Sequence, residues 1–390
     1  MKKFSIGFLL TLLLLIQVSE NVYAIPAFAR KYNMSCQTCH SPFPKLKAYG
    51  DEFAGNGFVL ADKDAPRYYV ETGDGELSLI RDIPLALRLE GYVTYNNKKS
   101  EKLDFSAPYL LKLLSGGALT KDVAYYFYFF FSERGEVAGI EDAFIMFNNL
   151  FDTELDLYAG QFQVSDPLFK RELRLTFEDY QIYRTRPGHS KADLTYDRGL
   201  MFTYGLPSGT DIILEVLNGT GIGAANSFRI FDDDKYKNYF GRISQDVTEG
   251  LRIGAFGYFG KEDLEDSFSN KFTNSFSMWG PDATLNLQDK LALNFQYAVR
   301  TDDKHNAFAN EIKTTGGFSE LIYTPKGDES KWYAAALYNW VDSDLNALDY
   351  ETASLSLGYM LRRNIRLVGE YTYNINQEFG QFSVGIISAF

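Results

Sequence analysis

The sequence predicts an all-β fold: a transmembrane antiparallel β-barrel of about 16 strands, with a small, mainly helical N-terminal segment that plugs its lumen. Two observations carry this expectation. From Leu85 onward, apolar and polar residues alternate over runs of about ten, which turns one face of each strand to lipid and the other to a polar lumen. Beyond the N-terminal signal region, no run reaches the roughly 20 apolar residues that a spanning helix needs, so membrane insertion must use strands.

Met1-Lys2-Lys3, the apolar run from Phe4 to Val18 and the pattern Val22-Tyr23-Ala24 read as a secretory signal over residues 1–24, removed after Sec export. Residues 25–60 are rich in Pro, Ala, Lys and Gly, with helical spacing around Phe43, Leu46, Lys47, Tyr49, Gly50 and Phe53. Residues 61–84 mix charge, Gly and Pro without periodicity and read as a linker.

Residues 85–390 hold the barrel. Leu291, Leu293, Phe295, Tyr297 and Val299 face one way and Asn294, Gln296 and Arg300 the other; Ala353, Leu355, Leu357 and Tyr359 repeat the pattern. Strands are expected near 85–96, 105–116, 123–132, 140–148, 155–162, 200–206, 210–218, 239–248, 251–259, 274–287, 291–300, 314–324, 332–340, 350–359, 365–373 and 379–390. Short turns at Pro207-Ser208-Gly209, Thr248-Glu249-Gly250, Gln288-Asp289-Lys290 and Arg362-Arg363-Asn364 alternate with longer polar loops, the asymmetry of barrels whose short turns face the periplasm. The terminal stretch Phe382 to Phe390 is an alternating strand ending on an aromatic, as in closing strands handled by outer-membrane assembly machinery. The expected location is therefore the outer membrane of a Gram-negative bacterium. The aromatic run Tyr125 to Phe131 reads as part of an interfacial girdle, more simply than as a redox conduit.

Net charge is −12, and −13 once Lys2, Lys3 and Glu20 leave with the signal, which argues against nucleic acid as a partner. Acidic loops at Asp232-Asp233-Asp234, Glu262-Asp263-Leu264-Glu265-Asp266 and Asp302-Asp303-Lys304-His305 offer hard oxygen donors to a divalent cation, or are simply solvated. Both cysteines sit in one motif, Cys36-Gln37-Thr38-Cys39-His40. Two thiols spaced by two residues reach both haem vinyl groups, and the adjacent imidazole then lies under the iron. One haem c is expected, attached at Cys36 and Cys39 with His40 as proximal ligand. A dithiol redox pair or half a zinc site is the alternative, without a second cysteine pair or a βαβ context to support it.

For the sixth iron ligand the candidates are His189 and Met34. Met34 lies two residues before Cys36, too close to reach the far face of the ring with ease. His189 falls in the long connection Gln163 to Arg198, the third extracellular loop, which would deliver it to the iron if the loop folds inward onto the plug.

The residues Pro26-Ala27-Phe28-Ala29-Arg30, Cys36-Gln37-Thr38-Cys39-His40, Phe43-Pro44-Lys45-Leu46, Tyr49-Gly50, Phe53 and Asn56-Gly57-Phe58 resemble the fused monohaem cytochrome-porins of the bacterial outer membrane, of which the outer-membrane Fe(II) oxidases are best known. The specific likeness covers about Ile25 to Phe58, with the barrel matching in architecture. The resemblance implies a cytochrome seated in the barrel, taking electrons from extracellular Fe(II) and handing them to a periplasmic electron carrier such as a soluble cytochrome. Three other functions stay open: outward electron export to an extracellular acceptor, a diffusion porin with a haem-bearing gate or sensor, and a periplasmic haem enzyme of β architecture.

Overall fold

A computed structural model of the chain describes residues 27–60, 70, 73–77, 79–81, 83–98, 102–308 and 310–390. The secretory signal expected at 1–24 and most of the linker lie outside the described residues. The strands are β1 (Leu85–Asn96), β2 (Leu103–Ala118), β3 (Val123–Glu133), β4 (Gly139–Leu150), β5 (Leu155–Gln163), β6 (Tyr196–Leu206), β7 (Thr210–Leu217) and β8 (Asn238–Thr248), then β9 (Leu251–Glu265), β10 (Lys271–Leu287), β11 (Leu291–Asp302), β12 (Ile312–Tyr323), β13 (Trp332–Ser343), β14 (Tyr350–Arg362), β15 (Ile365–Asn374) and β16 (Phe379–Ala389). Each pairs antiparallel with its chain neighbours, and β16 closes on β1 from Arg88↔Ala389 to Asn96↔Gln381, so all 16 form one closed barrel. Closure leaves no unpaired ladder edge, the condition for crossing hydrocarbon with strands.

The alternation in the sequence is the alternation of the wall. On β14, Thr352, Ser354, Ser356 and Gly358 are buried toward the lumen while Ala353, Leu355, Leu357 and Tyr359 are exposed on the outside. Leu214, Ile243, Trp279 and Val384 on other strands are likewise exposed. An apolar exterior on a closed antiparallel barrel is the architecture of the Gram-negative outer membrane, and lipid is what that surface meets.

All 16 expected strands are present, several longer than expected. β9 runs on through Lys261, Glu262, Asp263 and Glu265, pairing from Gly260↔Phe276 to Glu265↔Lys271. Above the lipid the outer face need not be apolar, so the ladder continues after the pattern has faded. The girdle reading of Tyr125 to Phe131 holds for one face only. Phe131 is exposed outward, whereas Tyr128 and Phe130 are buried in the lumen with Leu110 and Tyr196, because a strand sends alternate residues to opposite faces.

One rim carries both ends of the barrel and connections of 2 to 8 residues; the other carries connections of 4 to 32. The short-turn rim is the periplasmic one. The 32-residue connection after β5, loop 3, turns inward. Its Val164, Leu168, Tyr180, Ile182, Tyr183 and Leu194 are buried in the largest apolar cluster, against Phe240, Tyr258, Phe276, Phe318 and Leu337 of the wall. The core of this barrel is therefore built by a loop that fills the lumen.

Charge holds loop 3 as well. Arg171 grips Asp179 through Nε and Nη2 along one guanidinium edge, at 3.0 and 2.7 Å, and Arg174 and Arg184 stand 3.8 and 3.6 Å away. Burial penalises the Asp179 carboxylate, but Arg174, Arg171 and Arg184 outweigh it and hold the group far below the usual carboxylate range. Glu172 follows the same logic with Lys112 and Arg174 and is held at about 2.

Candidate functional site

The N-terminal segment is built from two short helices, α1 (Ala27–Tyr32) and α2 (Ala48–Gly55), around the cysteine motif. Cys36 to Thr38 form a single 3-10 turn, with the Gln37 amide donating to Ser35 Oγ at 3.3 Å. The amides of Cys39 and His40 both donate to the Cys36 carbonyl, at 3.3 and 2.9 Å. Residues three apart on such a turn eclipse one another, so Cys36 and Cys39 project from the same side. The two thiols are free and half-buried.

After His40 the chain folds back on itself. Ser41 donates to the Lys45 carbonyl at 3.0 Å, Lys45 to Pro42 at 2.8 Å, and Lys47 to Cys39 at 2.8 Å. This hairpin brings the Pro44 carbonyl to 2.8 Å from His40 Nδ1. A carbonyl cannot donate, so Nδ1 carries the proton and Nε2 keeps its lone pair. Burial also pushes the imidazole down to about 4, so it is neutral near pH 7. Phe43 holds the ring edge-on at 5.0 Å.

Gly50 explains the Tyr-Gly pair: a Cβ there would sit 2.3 Å from the Cys39 carbonyl oxygen, so only glycine lets α2 lie against the motif. Phe28, Tyr32, Phe53 and Phe58 form one aromatic cluster, with centroids 4.7 to 5.9 Å apart. The aromatic and glycine positions of the segment are thus the scaffold of the cysteine turn.

The segment seats in the short-turn mouth and touches opposite walls. Phe58 stacks on Tyr126 of β3 at 5.2 Å, and Arg30 donates to the Leu85 carbonyl. On the other side Lys47 and Gln37 both bond Asp328 in the β12–β13 connection, and Arg366 of β15 donates to the Phe43 carbonyl at 3.1 Å. Lys170 of loop 3 meets Asp51 at 3.1 Å.

Between segment and wall lies an open cleft, lined by Cys36, Gln37, His40, Ser41, Pro42 and Phe43 on one side and Gly327, Asp328, Ser330, Met360 and Arg363 on the other. The residues present fit a covalently held haem: Cys36 lines the cleft, Cys39 follows it on the same 3-10 turn, a neutral imidazole offers an oriented lone pair, and the Arg363 guanidinium can meet a carboxylate. Burial pushes both thiols up, the opposite of the depressed pKa that a reactive dithiol needs. Structural zinc takes four ligands, and no three His, Cys, Asp or Glu side chains among the described residues converge as a metal site. The acidic loops follow suit, with Asp232 paired to Lys237 and Asp266 capping its own turn at Phe268 and Asn270.

The structure does not bring His189 to His40, a correction to the sequence reading. Loop 3 does turn inward, but its end returns to the far rim, where the His189 amide meets the His305 carbonyl at 3.4 Å. There Glu262 accepts from Ser190, Lys191 and Ala192, and the buried Arg300 donates to Ser190 and Ala192 at 2.7 Å. The strands between the rims put roughly 30 Å between His189 and the motif. Met34 stays in the segment, its amide closing α1 on Ala29 at 3.1 Å, and it does not line the cleft. Met360, Asp328 and Arg363, which do, were not singled out from the sequence. The one signal was a thioether ending the inward row Thr352, Ser354, Ser356, Gly358 of β14.

A second, partly open cavity lies between loop 3 and β1, β2, β14, β15 and β16. Arg88, Arg171, Arg174 and Arg366 line it together with Glu90, Glu172 and Glu370.

No protein-family model and no curated protein sequence matches the chain. Solved structures match in fold. A loop-deletion mutant of OmpT, an outer-membrane protein of Vibrio cholerae, aligns with TM-score 0.57 at 12% identity, over 79% of this chain and 99% of that one. The outer-membrane channel DcaP of Acinetobacter baumannii aligns with TM-score 0.55 at 15% identity, over 79% and 97%. An anion-selective porin from Comamonas acidovorans aligns with TM-score 0.55 at 14% identity, over 79% and 99%. The chain shares its barrel fold with these proteins.

Proposed function

We propose that the chain is an outer-membrane cytochrome-porin that carries electrons between the extracellular side and a periplasmic carrier such as a soluble cytochrome, with extracellular Fe(II) as the donor. The observation that carries this reading is the Cys36–Cys39–His40 turn, with its oriented imidazole, seated in the mouth of an outer-membrane barrel. Covalently bound haem would supply a one-electron carrier at that point. Cys36 and Cys39 would anchor it, His40 would ligate its iron, and Lys47 and Gln37 hold the turn to the wall through Asp328.

The position at the periplasmic mouth leaves most of the barrel height between this site and an external donor. Rings span part of that gap. Phe58, Tyr126, Tyr128 and Phe130 follow one another at 5.2, 6.0 and 5.5 Å, climbing β3 toward the long-loop rim, where the Tyr128 and Tyr196 hydroxyls bond. The acidic balance of the chain, −12, favours approach of a cation.

The test is optical. Protein reconstituted in liposomes is oxidised, Fe(II) is added outside, and the reduced haem band is followed. Prompt reduction in the wild type, absent in Cys36→Ala and Cys39→Ala variants that still fold as barrels, is expected. Haem untouched by external Fe(II) yet reduced from the periplasmic face overturns the inward direction and favours export. The charged cavity between loop 3 and the wall favours one further reading, a diffusion porin gated by the segment; ion conductance that responds to haem redox state without electron transfer would select it.

A further inference from the structure

We infer that Met360 is the second axial ligand of the haem iron, a step that rests on the haem reading above. Met360 and His40 line the same cleft, and among its lining side chains Met360 carries the sole thioether. It is 8% exposed, at the last buried position of β14, where the preceding inward residues are Thr352, Ser354, Ser356 and Gly358. A small, polar row ends in one long soft side chain at the height of the cysteine turn.

Core packing does not account for it. Met201 and Met278 belong to the apolar cluster beneath loop 3, and Met360 belongs to none of the four buried apolar clusters. Met146 stands on β4, six strands round the barrel. His189 and His305 meet at the far rim. Chemistry agrees with position: a neutral thioether opposite a neutral imidazole is the pair that raises haem potential, suited to accepting an electron from a weak reductant. Arg363, at the same cleft, stands ready for a haem carboxylate.

The experiment uses the full chain matured with haem in detergent. Haem-dependent staining and the mass of the denatured chain read covalent attachment, which tests the haem reading by itself. The near-infrared charge-transfer band of thioether-ligated ferric haem and the midpoint potential then read the ligand. Wild type is expected to carry haem and the band. Met360→Leu, close in volume, keeps the haem, loses the band and falls in potential. Met360→His keeps the haem with a bis-imidazole spectrum, and Met34→Leu changes nothing. Haem-loaded wild type without the band, or a band that survives Met360→Leu or disappears in Met34→Leu, overturns the assignment of Met360. Absence of covalent haem in the wild type overturns the haem reading and this one with it.

Discussion

Replacing Asp179 with Asn tests whether charge keeps loop 3 inside the barrel. Asp179 is 7% exposed, bound through two contacts to Arg171, with Arg174 and Arg184 within 3.8 Å. Asn keeps the shape and removes the charge, leaving the 7% exposed Arg171 without its counter-ion. An uncompensated buried ion costs about 3–5 kcal/mol. At about 1.4 kcal/mol per tenfold, loop release rises by roughly two to three and a half decades. Trypsin reads the release directly, because Arg171, Arg174 and Arg184 are themselves cleavage sites, and single-channel recording reads it as longer open periods. The wild type carries its own control. Since the folded carboxyl lies below its ordinary 3.8, its contribution is full above that value and is lost only as pH falls through the depressed one. The excess of open periods in Asp179→Asn over the wild type should therefore be as large at about pH 5 as at neutrality. A variant cleaved and conducting like the wild type would refute the electrostatic account of the loop.

Three further outcomes follow from named contacts. Arg300→Ala strips the 1% exposed Asp302 of its partner and the Ser190–Ala192 turn of two donors, so the barrel should lose about 3–5 kcal/mol, seen as a lower temperature of the folded-to-unfolded shift in detergent gels. Glu178, whose carboxyl accepts from Tyr350, is raised to about 7 by burial and by Glu370; its contribution is full below its ordinary 4.5 and is lost as pH rises through about 7. Protection from hydrogen exchange around Phe177, taken relative to the intrinsic rate at each pH, should accordingly fall between about pH 6 and 8, and Glu178→Gln should flatten that fall. Gly57 has φ +70°, and a Cβ there would fall 2.6 Å from Ala124 Cβ. Gly57→Val should thus unseat the segment, at a cost of at least about 1–2 kcal/mol from backbone strain alone, and expose Lys45 and Lys47 to protease; unchanged cleavage would count against the docked position.

Much of the architecture is legible because a barrel wall imposes a local rule. Leu355 and Leu357 must face lipid while Ser354 and Ser356 face the lumen, so strands declare themselves residue by residue. Legibility fades where the rule lapses: β9 past Gly260 carries charge on a continuing ladder, and Tyr128 and Phe130 share a strand with outward rings but serve the interior. The cysteine motif is legible for the same reason as the wall, since one 3-10 turn suffices to put Cys36 and Cys39 on one side.

What faces that motif is not local. Asp328, Met360 and Arg363 reach the cleft from connections and strands some 300 residues away in sequence, and only the thioether at the end of the small inward row of β14 marks one of them locally. Loop 3 illustrates the same divide. Its length and its histidine were plain in the sequence, while the rim at which His189 comes to rest depends on Glu262 and Arg300 gripping residues 190–192. The sequence by itself determined the barrel, its strand order, the export signal's expectation and the cysteine turn, all products of periodicity or short-range spacing. Only the tertiary structure decided which mouth the segment occupies and which side chains close over it, because those contacts form between elements that meet only once the barrel has closed.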